Sequence, residues 1–196
     1  MASKINLKRI SNKVDKSRKF QRETERRIST GLERTKAIAL AEFNSHPVTK
    51  EIEGKASARN ESGTLGGYGN LFTFIGFPSA SSPTSVIRDI ISQTIKFRRK
   101  KSLISKNKIK INFVISAPTK SDIFAVTPMP WEGGSWVEGI ENGLSGFSYY
   151  MNKKFGESRS GGGLQADHEI TKAIFTPKAY VTEILNKFRI NVRRVK

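Results

Sequence analysis

Gly63-Thr-Leu-Gly-Gly-Tyr-Gly-Asn-Leu-Phe-Thr-Phe-Ile-Gly-Phe77 is the stretch on which the fold turns. Its first half, Gly63 to Asn70, holds four glycines, so the backbone there is free to take positive φ or to lie close against another segment. Its second half, Leu71 to Phe77, reads as a strand. Leu71, Thr73, Ile75 and Phe77 then line one face, with Phe72 and Phe74 on the other. A strand that is apolar on both faces needs cover on both sides, from the chain's own helices or from another subunit.

Outward from it, Asn6 to Asn44 carries a helical pattern. Ile10, Val14, Ile28, Leu32, Thr35, Ala39 and Phe43 fall near one stripe, while Ser17 to Arg27 is almost wholly polar. Such a thin stripe implies packing against a neighbour. His46-Pro47 is expected to stop this helix, and Val48 to Ser62 reads as a connecting loop. On the other side, Ser82-Pro83 suits a helix start, and Val86, Ile87, Ile90, Ile91 and Ile95 recur at helical spacing, so a middle helix is predicted over Pro83–Phe97.

The apolar run Ile109 to Ile115 and a second from Asp122 to Val126 flank Ala117-Pro-Thr-Lys-Ser121, which predicts a hairpin. Ser135 is placed to cap a short helix, Trp136 to Asn142, with Gly143 just past its end. Phe147 to Met151 reads as a strand and Gly156 to Gly163 as a Ser/Gly/Arg loop. A last helix opens at Thr176-Pro177 and buries Tyr180, Ile184, Leu185 and Phe188. The order predicts an α+β fold: a mainly antiparallel sheet packed by a long N-terminal, a middle and a C-terminal helix. Residues 1–44 read as a basic helix or arm, and 45–196 as an α+β domain with a basic insertion near 83–108.

Apolar residues make up 36% of the 196, low for one well-packed globule, so part of the chain is expected to rely on partners. The net charge is +18, which implies a polyanion nearby, most often nucleic acid; the alternative is a solvated, self-repelling surface. The chain has no cysteine, which excludes disulfides and thiolate metal sites. No run approaches the ~20 apolar residues of a membrane span, and no secretory apolar region follows the start, so a cytoplasmic or particle-internal setting is expected.

The charge is placed unevenly. Met1–Lys36, Lys96–Lys110 and Leu185–Lys196 together hold 25 of the 35 basic residues, and the last two contain no acid. Lys4, Lys8, Arg9, Lys13, Arg98, Arg99, Lys100, Lys101, Arg193 and Arg194 are therefore the residues expected to face nucleic acid or an acidic partner. These blocks have few interleaved aromatics, which favours phosphate contact without sequence reading. Ser121 to Asn152 is the opposite: no Lys or Arg, four acids and both tryptophans. Trp131, Trp136, Glu138, Tyr149 and Tyr150, with Tyr68, are the expected subunit-interface residues. The alternative for that segment is an ordinary core with acidic loops around it.

Chemistry finds little foothold. The glycine clusters lack the Gly-Lys-Ser/Thr ending of a phosphate loop, and the first leads into an expected strand. Asp167-His168-Glu169 are adjacent residues that cannot surround one ion without distant help. Ser158 has no evident base. No enzyme activity, cofactor or metal is expected.

Taken together the pattern resembles the tail-completion or head–tail joining ("neck") proteins of tailed bacteriophages. Ser62-Gly63-Thr64-Leu65 stands where that family commonly has a Thr-Gly-Arg-Leu-like turn. Trp136-Val-Glu-Gly-Ile-Glu-Asn-Gly143 is similar to its aromatic-Val-Glu-x-Gly segment, and Phe175-Thr-Pro-Lys-Ala-Tyr180 to its Pro-Phe-x-x-Pro-Ala closure. The turn's Arg is absent after Thr64, and Pro83 to Lys108 reads as an insertion. The resemblance covers most of Lys13 to Phe188. It implies a structural virion protein, assembled in the host cytoplasm, that forms a homo-oligomeric ring, six-fold by expectation, around the DNA channel. Connector or tail proteins would be its neighbours, packaged DNA a possible contact, and no membrane would be involved. The other reading is a non-sequence-specific nucleic-acid-binding subunit of a cellular ribonucleoprotein particle.

Overall fold

The computed structural model describes residues 7–67, 69–105, 108–130, 133–143 and 175–195. Lys4, Tyr68, Trp131, Tyr149, Tyr150, the expected strand at Phe147–Met151, the loop at Gly156–Gly163 and the Asp167–Glu169 trio lie outside these residues.

The N-terminal pattern forms two helices, α1 (Leu7–Lys16) and α2 (Arg18–Ser45), separated by Ser17 in an extended conformation. Only the second half of the stripe is buried: Leu32, Thr35, Ala39 and Phe43 enter the core, while Ile10 and Val14 stay at the surface. Pro47 ends one helix and starts the next. His46 is held extended before it, as a pre-proline residue prefers, and α3 (Pro47–Glu53) begins with proline at its first position. The expectation of a loop from Val48 is thus corrected over its first part: His46 Nδ1 accepts the Val48 N–H at 3.2 Å and caps the new helix.

The strand expected at Leu71–Phe77 is also corrected. Leu71–Ile75 is a short helix, α4. Period-two and helical spacing cannot be told apart in so short an apolar run, and the ends decide. Asn70 Oδ1 accepts the Thr73 N–H at 3.0 Å, and Gly76, at φ 79°, closes the helix with its N–H on Phe72 and Thr73. The glycine-rich turn before it folds around Glu51, a fully buried carboxylate. Glu51 accepts the Ser62 N–H at 2.8 Å, the Leu71 N–H at 2.7 Å and Asn60 Nδ2 at 2.9 Å. Asn60 Oδ1 in turn accepts from Leu65 and Gly67. These turn N–H groups are spent on the chain's own side chains.

The middle helix α5 spans Ser85–Thr94, inside its predicted range, and buries Ile87 and Ile91. Beyond it lie β1 (Lys96–Arg99), β2 (Leu103–Ser105), β3 (Lys108–Lys110) and β4 (Phe113–Ser116). β1 pairs antiparallel with β4, with Phe97 opposite Ile115, and β2 pairs antiparallel with β3. The predicted hairpin between Ile109–Ile115 and Asp122–Val126 is not what forms. Lys120–Ala125 is a helix, α6, opened by a capping box: Asp122 Oδ2 accepts the Thr119 N–H at 2.7 Å, and Thr119 Oγ1 accepts the Asp122 N–H at 3.2 Å.

Helix α7 (Trp136–Asn142) has the predicted bounds, with Ser135 Oγ accepting the Glu138 N–H and Gly143 past its end at φ 98°. The last helix, α8 (Val181–Val192), starts later than Thr176-Pro177 but buries the expected Ile184, Leu185 and Phe188, with Tyr180 just ahead of it. The fold is α+β, with antiparallel pairing in every described strand pair. Helices supply most of its core. There Tyr180 stacks on Phe43 at 5.8 Å and meets Trp136 at 6.3 Å, and Trp136 meets Phe77 edge-on at 5.6 Å.

Candidate nucleic-acid interface

The second and third basic blocks, far apart in sequence, pack on the two helices that carry the first. α1 packs on β2 and β3, and α2 packs on β1 and α8. Asp15 links the first two blocks. Arg99 Nη2 donates to Asp15 Oδ1 at 2.6 Å, and Ser102 Oγ donates to the same oxygen at 2.8 Å. Both charged side chains are largely covered, at 15% and 20% exposure. Charge-assisted bonds in such partial burial are stronger than surface pairs.

Around this clasp, Lys8, Lys13, Arg98, Lys100 and Lys101 are exposed, as are Lys16, Arg18, Lys19 and Arg22. Arg9 is exposed too, with a partner of its own in the chain. Arg99, expected to face nucleic acid, is instead committed to Asp15. It ties β1 to α1 through that carboxylate. Further along α2, Arg26 and Arg27 share Glu23, and hydrogen bonds from Arg26 and then Arg27 hold that carboxyl down at about 2.

The third block arrives at Gly31. A Cβ built there would lie 2.5 Å from a Val195 methyl, so any larger residue at 31 would push Val195 from its present seat on α2. The seat lies roughly 20 Å along α2 from Ser17, at 1.5 Å per helical residue. It brings the exposed Arg194 beside Arg34, and Arg193 is exposed as well.

The expected interface residues separate. Glu138 is exposed on the first turn of α7. Trp136 is a correction: at 1% exposure it lies inside the chain's own core and is not available to a second subunit as placed. Glu141, from the same acidic segment, also turns inward, with its side chain 4% exposed. It accepts the Tyr180 N–H at 3.1 Å, the Thr182 N–H at 2.7 Å and the Thr182 hydroxyl at 2.6 Å, and pairs with Lys120 at 3.1 Å. Burial would raise its carboxyl; the bonds from Thr182, Lys120 and Tyr180 outweigh burial and hold it below the usual range. It therefore caps α8 from another helix. Sequence reading missed Asp15, Glu51 and Glu141; only Asp15 carried a signal, as a lone acid inside a basic block.

Other polar sites are occupied internally. Glu53 accepts from Thr84 at 2.8 Å and from Arg88 at 2.5 Å, and Arg88 also bonds Asn44 and lies 5.6 Å from the centre of the Phe43 ring. His46 spends Nδ1 on Val48, and its ring lies tilted against that of Tyr180. Among the described residues no His, Asp and Glu cluster is arranged to hold a metal ion, and no helix is long and apolar enough to cross a membrane. What this surface offers is fixed positive charge. No protein-family model, curated protein or solved structure matches the chain.

Proposed function

We propose that this chain is a structural subunit of the neck of a tailed phage, at the head–tail connection or in tail completion. It forms a homo-oligomeric ring in the virion with its basic ridge turned toward the DNA channel. The observation that carries this reading is the Asp15–Arg99 clasp. One acid joins two basic blocks and leaves Lys8, Lys13, Arg98, Lys100 and Lys101 at the surface. Exposed charge without stacking aromatics supports phosphate contact that does not read sequence.

A second observation supports the neck assignment. The three segments that carry the resemblance bond to one another. The Thr176 N–H donates to the Thr64 carbonyl and the Lys178 N–H to the Ile140 carbonyl, each at 2.9 Å, and Glu141 caps the helix after Tyr180.

The test is duplex-DNA binding as a function of salt, with the native mass measured alongside. Arg98, Lys100 and Lys101 changed together to Gln should flatten the log–log salt slope by up to about three units, near 0.9 per phosphate. Binding should not depend on sequence, and the native mass should be that of a ring. An unchanged slope removes DNA from this surface. A subunit that stays monomeric at working concentration, or that is freed from its particle by nuclease, removes the ring.

A further inference from the structure

A cavity of about 310 Å³ opens between α2 and the end of α8, lined by Gly31, Arg34, Ile38, Asn191, Arg194 and Val195. Two of its lining side chains, Ile38 and Val195, are apolar. Ile38 is 40% exposed there, and Val195 lies against Gly31 where a side chain would otherwise stand. The one hydroxyl at its wall, that of Thr35, is spent on the Gly31 carbonyl at 2.9 Å. Its charges are the exposed Arg34 and Arg194. No carboxylate lines it, and neither arginine has an ion-pair partner among the described residues.

We propose that this groove binds an acidic peptide segment of a partner protein, one that pairs carboxylates with an aliphatic or aromatic side chain. Guanidinium forks match carboxylates in bidentate geometry, and two of them beside the apolar Ile38 and Val195 complement a segment that carries both chemistries. The volume is at the small end of the roughly 300–1,000 Å³ of ligand pockets, enough for a side chain or two. A phosphate backbone would satisfy the arginines yet leave Ile38 in water. That contrast decides for protein over nucleic acid, and the site stands independently of the ridge around Asp15.

The experiment titrates the full chain against a labelled short peptide of alternating glutamate and leucine, the same peptide with serine for leucine, and a short duplex DNA. Arg34→Gln with Arg194→Gln should weaken the leucine peptide about ten-fold or more, and Ile38→Ser about five-fold. All three positions are exposed, so unchanged melting temperatures will verify folding. Ile38→Ser should leave DNA affinity within about two-fold, and the serine peptide should bind as weakly as the leucine peptide binds the Ile38→Ser chain. The proposal is overturned if both peptides bind alike, if Ile38→Ser leaves peptide affinity unchanged, or if it weakens DNA as much as peptide. It is also overturned if the leucine peptide shows no saturable binding up to about 1 mM.

Discussion

The hydroxyls of Tyr180 and Thr49, 131 residues apart in sequence, share a 2.7 Å hydrogen bond at full burial. Burial drives the phenol far above its ordinary pKa, so it remains a neutral partner throughout the working range. Tyr180→Phe leaves the Thr49 hydroxyl buried and unpaired, a loss of about 1–3 kcal/mol in denaturant unfolding, and Thr49→Val does the same to the phenol. The double variant should cost clearly less than the sum of the two, because neither polar group is then stranded. Strictly additive losses would mean the bond does not form.

Trp136→Ala should act on folding. Removing an indole packed against Phe77 and Tyr180 leaves a core cavity, with an expected loss of about 3–5 kcal/mol. The fall in melting temperature should be the same at every protein concentration. A loss of assembly with subunit stability intact would place this side chain at a subunit contact instead.

Asp15→Ala tests the DNA contact proposed for this face. It makes the chain more positive by one charge, so affinity set by total charge would rise. The clasp predicts the reverse. With Arg99 and Ser102 released, α1, which carries Lys8 and Lys13, loses its clasp on the segment that carries Lys100 and Lys101, and the salt slope should flatten by about one or two units. Tighter binding with a steeper slope would overturn the role given to Asp15.

His46 sets a pH dependence. Burial lowers its pKa below 6.5, against the opposing pull of Glu183, while Lys178 and Lys187 lower it further. The unfolded chain therefore takes up a proton before the folded one does, and stability rises with pH through that window. The contribution is complete above pH 6.5 and is lost as pH falls from 6.5 through the folded-state value. Protonated Nδ1 also cannot accept the Val48 N–H. His46→Asn, which keeps a cap acceptor without a titrating ring, should flatten the melting-temperature profile just below pH 6.5. A profile unchanged by the substitution would assign the dependence to other groups.

What the sequence by itself determined is what acts over one or two turns of chain. Ser135 and Gly143 bracket α7, the 3.6-residue recurrence of Ile87 and Ile91 gives α5, and Ile184, Leu185 and Phe188 mark the buried face of α8. The three basic blocks are likewise legible, since charge is a property of composition. Cap signals at Asn70, Gly76 and Thr119 were present too. They outweighed the strand-like spacing of Leu71–Phe77 and Asp122–Val126, because a few apolar residues satisfy both periods and the satisfied ends choose between them. Only the tertiary structure decided where the carboxylates go. Glu51 reaches Leu71 across 20 residues, Glu141 reaches Thr182 across 41, and Asp15 is reached by Arg99 across 84. A buried or half-buried carboxylate must find donors wherever the packed elements deliver them. That long-range demand turned Glu141 inward and tied the first two basic blocks together through Asp15, while apolar burial took Trp136 into the core and seated Val195 on Gly31.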